Sequence, residues 1–256
     1  HPERRVHRLQ STYDGSDCIL LDVKTGSGSF MKTLDDSRLL ARTMVDIGRG
    51  ADVRTAALIT NMDSPLGSAV GNSLEVIESV EILKGKTSGN LWTVCRELSC
   101  RMLMLAGIGD KDECGRLVDE AVESGEALKR FEMMVKLQGG DVSYIEDTSK
   151  FRKASFSREV YAPADGYITH MDSEKIGLTA VLLGAGREKK DDDINHAAGI
   201  IIAAKTGDFV KRGELLATLL ADDESRLDGA ESRYLSAVSI GDKKPAEQPM
   251  ILDYID

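Results

Sequence analysis

The sequence predicts an α/β fold, a sheet flanked by helices, followed by a C-terminal α+β module. Three observations carry this. An apolar run from Cys18 feeds a glycine-rich turn and then a helix-start signal. A second apolar run, Val53 to Thr60, completes strand, helix and strand within one short stretch, the pattern of a parallel βαβ unit. Beyond Gly140 the apolar period changes to short runs separated by Gly-centred turns, which reads as strands and hairpins.

Cys18 to Val23 is nearly continuous in apolar residues and suits a strand covered on both faces. The turn that follows holds Gly26, Ser27 and Gly28. In an open α/β sheet, ligands bind beyond the carboxyl ends of the strands, so this turn is either a site or a bare strand-to-helix connection. Thr33 and Asp36 form a helix-start pair. Leu39, Leu40, Met44 and Ile47 recur at helical spacing, and Gly48 and Gly50 supply the stop.

After the second strand, residues 61–71 are polar, glycine-rich and interrupted by Pro65, and read as a loop at the same end of the sheet. Asn72 and Glu75 are placed to cap the next helix, which Gly85 closes. Val76, Ile77, Val80 and Leu83 mark its apolar side. Glu75, Glu78 and Glu81 mark the other, which alone reads as a solvated face. Leu91 to Leu105, with the sequence's one tryptophan, Trp92, predicts a buried helix. Helices from Asp110 to Gly125 and from Glu126 to Leu137 follow, and Met102, Met104, Met133 and Met134 read as core gap-fillers.

In the last part, residues 158–169 read as strand, turn, strand, and residues 205–215 carry two Gly-centred turns, with Ile200 to Ala203 and Leu215 to Leu220 as flanking strands. The Gly-Asp-x-Val-x-x-Gly-Glu pattern resembles the hairpins of barrel-sandwich domains of the biotinyl and lipoyl type. No lysine here has the setting of a carrier lysine, so the module reads as scaffold. Between its strands, residues 183–195 pass from small residues to a charged run, which suits either a solvated connection or a lid.

The sequence has 256 residues, 41% hydrophobic and 30% charged, enough for a substantial core. A net charge of −10 argues against non-specific binding to nucleic acid or to an anionic membrane. The four cysteines lack CxxC spacing, which argues against a zinc site and for buried free thiols in a reducing cytoplasm. No apolar run is long enough to span a bilayer. Residues 1–14 are basic, carry Pro2 and lack an apolar period, and read as an arm separate from the fold. The expected divisions are thus 1–14, 15–145 and 146–256.

The string Asp22-Val23-Lys24-Thr25-Gly26-Ser27-Gly28-Ser29-Phe30-Met31 resembles the signature of the pyrimidine-nucleoside and thymidine phosphorylases, and the similarity continues from about Gly15 onward. The resemblance implies reversible phosphorolysis of a pyrimidine nucleoside by inorganic phosphate, in a cytoplasmic homodimeric parent enzyme. It implies that Phe30 lines the pyrimidine pocket and that Lys24, Gly26, Ser27 and Gly28 lie at a hinge. Gly184, Gly186 and Arg187 match the family's lid. Leu66 and Ala69 match carbonyl ligands, and Glu78 a carboxylate ligand, of a structural potassium ion. It also implies that the phosphate loop and a base-gripping arginine precede residue 1. Val6 and Gln10 stand where the family has a base-binding serine and lysine. The expectation is an enzyme fragment without turnover alone; the alternative is a non-catalytic structural or binding fragment.

Overall fold

The computed structural model describes residues 16–187 and 189–256. The arm at 1–14, with Val6 and Gln10, lies outside the described residues.

The first layer is the expected βαβ unit. Strand β1 (Cys18–Thr25) pairs in parallel with β2 (Arg54–Asn61), with Cys18 opposite Arg54 and Thr25 opposite Asn61. Between them runs α1 (Leu34–Gly50), whose N-cap Thr33 accepts a hydrogen bond from the Asp36 amide. Its exit needs a glycine: a Cβ on Gly48 would lie 2.0 Å from Thr55 Oγ1. One face of the sheet packs Val23, Ala57 and Ile59 against Ala41 and Val45 of α1. The predicted two-sided burial belongs to β2, which is buried from Thr55 to Asn61, while Cys18 to Leu21 in β1 are half-buried. Among the described residues β1 pairs with β2 and, beyond it, makes only a single bridge from Thr25 to Met31, so it is an edge strand.

One strand from beyond residue 146 joins the first sheet. A strand near the C-terminus, β10 (Ile251–Ile255), returns to the first sheet and pairs antiparallel with β2, giving the order β1-β2-β10. Side chains on both faces hold it there. Arg38 of α1 reaches Asp253 at 2.7 Å, and the Arg101 guanidinium lies 4.2 Å from the Tyr254 ring centre. A further crossing runs the other way. Strand β3 (Ala69–Val70), from the loop after β2, pairs antiparallel with β6 (Gly199–Ile202), so this loop is part of the second module's sheet.

Helices α2 (Asn72–Leu83), α3 (Gly89–Leu105), α4 (Lys111–Glu123) and α5 (Glu126–Leu137) match the expected segments. Asp110 caps α4 through the Glu113 amide. Cys100, Cys114 and Val118 form a small core with Trp92, Leu103 and Met104. The Arg96 guanidinium grips Asp119 with two bonds of 2.6 Å, the fork geometry that arginine favours. The methionines depart from expectation. Met104 packs inward, but Met102 is 53% exposed and Met133 and Met134 are similarly open, because their positions fall on the outer faces of α3 and α5. The cysteines divide likewise: Cys100 and Cys114 are buried, Cys18 is half-buried and Cys95 exposed.

After the short helix α6 (Ser143–Glu146), the second module has two antiparallel sheets. One has the order β3-β6-β8-β4, with β4 (Phe156–Tyr161) and β8 (Leu215–Ala221). The other has the order β7-β5-β9, with β5 (Gly166–Met171), β7 (Phe209–Val210) and β9 (Val238–Gly241). Helices α7 (Ser173–Ala180) and α8 (Ser225–Ala237) share their core, which contains Ile168, Ile176, Leu183, Ile200, Leu219, Leu227 and Tyr234. Among the described residues no helix is long and apolar enough to cross a membrane.

Tyr234 is fully buried, and its hydroxyl reaches only the Leu216 carbonyl at 3.5 Å. The ring, not this long bond, is its main contribution. Tyr234→Phe is expected to cost at most about 1 kcal/mol and Tyr234→Ala about 3–5 kcal/mol in urea unfolding.

Candidate functional site

The glycine turn sits at the carboxyl end of β1, where it is packed from two sides. Gly26 has φ +126, and a Cβ there would lie 2.6 Å from Asp63 Oδ1. The Gly26 amide donates to Met31 O at 3.0 Å and the Ser29 amide to Gly26 O at 3.1 Å, closing a compact turn. The Ser27 amide donates to Asp63 Oδ1 at 2.8 Å, and the Gly28 amide to Met62 O at 3.2 Å. The turn therefore lies on the first residues of the 61–71 loop. On its other side, a Cβ on Gly28 would come 2.8 Å from the Ser173 Cβ at the start of α7. Lys32 spans the same joint, donating to Ser27 O at 2.7 Å and pairing with Glu174 at 3.3 Å. Among the described residues, the Ser27 and Ser173 hydroxyl oxygens are buried here without a hydrogen-bond partner.

The sequence-predicted residues divide at this point. Gly26, Ser27 and Gly28 form the joint. Lys24 does not join them: its ammonium turns back along the sheet to Asp22 Oδ2 at 2.6 Å and Thr60 Oγ1 at 3.0 Å. Strand alternation sends this side chain to a sheet face. Phe30 is 96% exposed, so it is not an ordinary core residue.

The loop continues to Leu66 and Ala69, where Glu78 of α2 has a different role from the solvated one expected of its face. Its Oε1 accepts from the Ser68 amide at 2.6 Å and its Oε2 from the Ala69 amide at 3.1 Å. Gly67 makes room for it, since a Cβ there would lie 2.2 Å from Glu78 Oε2. Glu75 accepts from the Gly71 amide at 3.0 Å, and Glu81 pairs with Lys86. Gly71 is thus the N-cap of α2. Asn72, expected there, instead donates to Ala185 O at 2.8 Å, because a helix that begins at Asn72 leaves its amide free to reach across.

The potassium set implied by Leu66, Ala69 and Glu78 does not fit as arranged. Oxygen ligands suit a hard cation, but a cation is already supplied: the Lys205 ammonium donates to Leu66 O at 3.1 Å. Both Glu78 oxygens are engaged by backbone amides. Burial pushes the Lys205 ammonium below its ordinary range, while Glu78 and Asp208 oppose that shift. A cavity of about 500 Å³ opens beside it, lined by Leu66, Ser68, Glu78, Lys205 and Asp208 among others. A second cavity of about 470 Å³ follows the same loop at Asn61, Asp63 and Ser64, and the two share Asn90, Thr206 and Asp208. Among the described residues, no cluster of three or more His, Cys, Asp or Glu side chains is placed to hold a metal ion.

The segment matched to a lid is anchored at its start. Leu183 and Gly184 are buried, Gly184 has φ +107, and Gly184 O accepts from the Asn195 amide at 2.9 Å. Asn195 Nδ2 donates to Asp222 Oδ2 at 2.8 Å, and Asp222 also holds Arg152 and the Ser155 amide. Gly186 packs on Val181, and Arg187 is exposed. Any lid therefore begins after Gly186 and ends before Asn195.

Residues 9–128 match the family described as glycosyl transferase family, a/b domain. Residues 167–241 match the pyrimidine nucleoside phosphorylase C-terminal domain. The two stand in that order along the chain. Across both matches the chain is similar to the pyrimidine-nucleoside phosphorylases. The first match reaches back to residue 9, ahead of the boundary expected at residue 15. Similar proteins include the pyrimidine-nucleoside phosphorylases of Staphylococcus aureus strains bovine RF122 / ET3-1, USA300 and NCTC 8325. Each is 40% identical over 229 residues, which is 89% of this chain and 53% of the relative. The chain thus spans about half the length of these family members.

Sequence reasoning missed Asp63, Asn195, Lys205 and Asp222. Asp63 and Asn195 stand in polar loops, where Asx side chains often bind nearby backbone; that signal was available, but the partners are remote in sequence. Lys205 and Asp222 carried no local signal.

Three outcomes follow from this geometry. Gly26→Ala adds both a strained φ and a clash with Asp63, and is expected to cost about 2 kcal/mol in denaturant unfolding. Gly50→Ala, with open space around its Cβ, should be neutral or slightly stabilising. The bond from Arg152, helped by the Ser155 amide, lowers the Asp222 carboxyl to about 2. An unfolded aspartate titrates near pH ~3.9, so this stabilisation is complete above that pH and is lost as pH falls toward 2. Urea midpoints measured down this range should fall less steeply for Asp222→Asn than for the wild type.

Proposed function

We propose that this chain forms one side of a site for phosphorolysis of pyrimidine nucleosides. In that reaction a phosphate oxygen attacks the anomeric carbon, the bond from that carbon to the base breaks, and the base leaves with the electron pair. The products are the free base and a pentose 1-phosphate. The observation that carries the reading is the ordered pair of family matches, with the glycine turn at the carboxyl end of β1, where α/β sheets bind ligands.

In this reading Phe30 offers its ring to the pyrimidine. Its exposure supports this, because an uncovered phenyl gains free energy, at about 25 cal/mol per Å² of apolar surface, when a base covers it. The joint at Gly26 to Gly28 acts as the hinge. The two unpartnered hydroxyls there support motion: leaving them desolvated costs about 1–3 kcal/mol each, which another arrangement of the same joint can relieve. The lid matched at Arg187 closes over the sugar and phosphate and excludes water. Phosphate binding and full turnover call for groups from the remaining length found in the relatives, which this chain spans only in part.

The test is fragment complementation. The purified chain, mixed with the other half of a Staphylococcus aureus relative, is expected to release uracil or thymine from a nucleoside only when phosphate is present. No release from any mixture, together with no nucleoside binding by calorimetry, overturns the reading. Phe30→Ala should weaken nucleoside binding about tenfold and move the unfolding free energy by no more than about 0.5 kcal/mol.

A further inference from the structure

The cavity beside Leu66 gathers more charge than the reaction uses. Glu78, Glu81 and Asp208 contribute carboxylates, and Lys86 and Lys205 contribute ammonium groups. Lys86 is committed to Glu81. Asp208 Oδ2 accepts from the Lys205 backbone amide at 2.8 Å, which fixes the turn carrying that lysine. What is left is Glu78 on one wall, the Leu66 carbonyl beside it, and the half-buried Lys205 ammonium reaching that carbonyl.

The backbone explains why this spot needs positive charge. Ser68 O accepts from the Ile202 amide at 2.7 Å, but the Ser68 amide turns to Glu78 instead of completing that pair, and Ala69 lies opposite Ile201. By the alternation of antiparallel pairing, the Ala69 peptide groups then point away from β6. Glu78 satisfies the Ser68 and Ala69 amides. That brings a full negative charge against a loop whose Leu66 carbonyl adds a further negative end.

We infer that the Lys205 ammonium is the resident counter-ion of this loop, fixing the 66–69 segment to the β6–β7 turn so that no inorganic monovalent ion is required there. The lysine does two things that a free ion would do only when bound. It caps the Leu66 carbonyl, and it offsets the Glu78 charge. Because it is covalently part of the second module, it also makes the link between the modules independent of salt composition.

The experiment is thermal unfolding of the full chain at constant ionic strength in potassium, sodium or N-methylglucamine chloride. The wild type is expected to melt at the same temperature in all three, within about 1 °C. Lys205→Ala is expected to melt several degrees lower in N-methylglucamine and to recover saturably as potassium is added, because the Leu66 carbonyl it uncovers is free to take an ion beside the Glu78 charge. Lys205→Arg should keep the salt-independent behaviour. Saturable stabilisation of the wild type by potassium overturns the inference, as does a Lys205→Ala variant that melts like the wild type or that ignores potassium. Should Lys205→Ala fail to fold in every salt, thallium-205 NMR of the folded wild type decides. Saturable thallium binding overturns the inference, and its absence supports it.

Discussion

The hold of Glu78 on the Ser68 and Ala69 amides is the constraint on which the architecture turns. It fixes the loop after β2 into an extended path, and that path becomes β3 in the second module's sheet. The start of the same loop, Met62 and Asp63, receives the glycine turn. One segment thus joins the carboxyl end of the first sheet to the body of the second module. Gly67 and Gly71 are needed along it because a Cβ at either would strike a neighbour, Glu78 at one and the Ala198 carbonyl at the other.

What the sequence revealed was local. Thr33 with Asp36, Asp110 before its helix, and the glycines at 85 and 125 announced helix boundaries, because capping requires particular residues at fixed offsets. The parallel unit followed from apolar runs of the right length. The errors arise where a remote partner outbid a local rule. Asn72 had the identity of an N-cap and a better use across the molecule at Ala185. Glu75 and Glu78 had the spacing of a solvated face, yet the nearest unpaired donors were in the preceding loop. The exposed methionines followed from the faces that α3 and α5 turn outward, which a count of methionines cannot give.

The candidate site was legible in part for the same reason. The glycines of the turn announced close approach, and Asp63 and Ser173 are what approach. Lys24 adjoined them in sequence but alternation took it elsewhere. Gly184 belonged to a small-residue run that reads as mobile, whereas its positive φ ends a helix inside the core and its carbonyl is tied to Asn195. The network of Asn195, Asp222, Arg152 and Ser155 could not be read in advance, since its members are scattered and none has a motif.

The antiparallel partner of β2 bears on how the polypeptide reaches this state. Ile59 pairs with Asp253, so the first sheet acquires that strand only after the second module that lies between them in sequence has been synthesised. Closing so long a loop is entropically slow. Until then, one edge of the most deeply buried strand has open amides and carbonyls, the arrangement most prone to recruit a strand from another chain. Docking of β10 therefore does more than complete a sheet: it closes the edge at which β2 is open to a foreign strand.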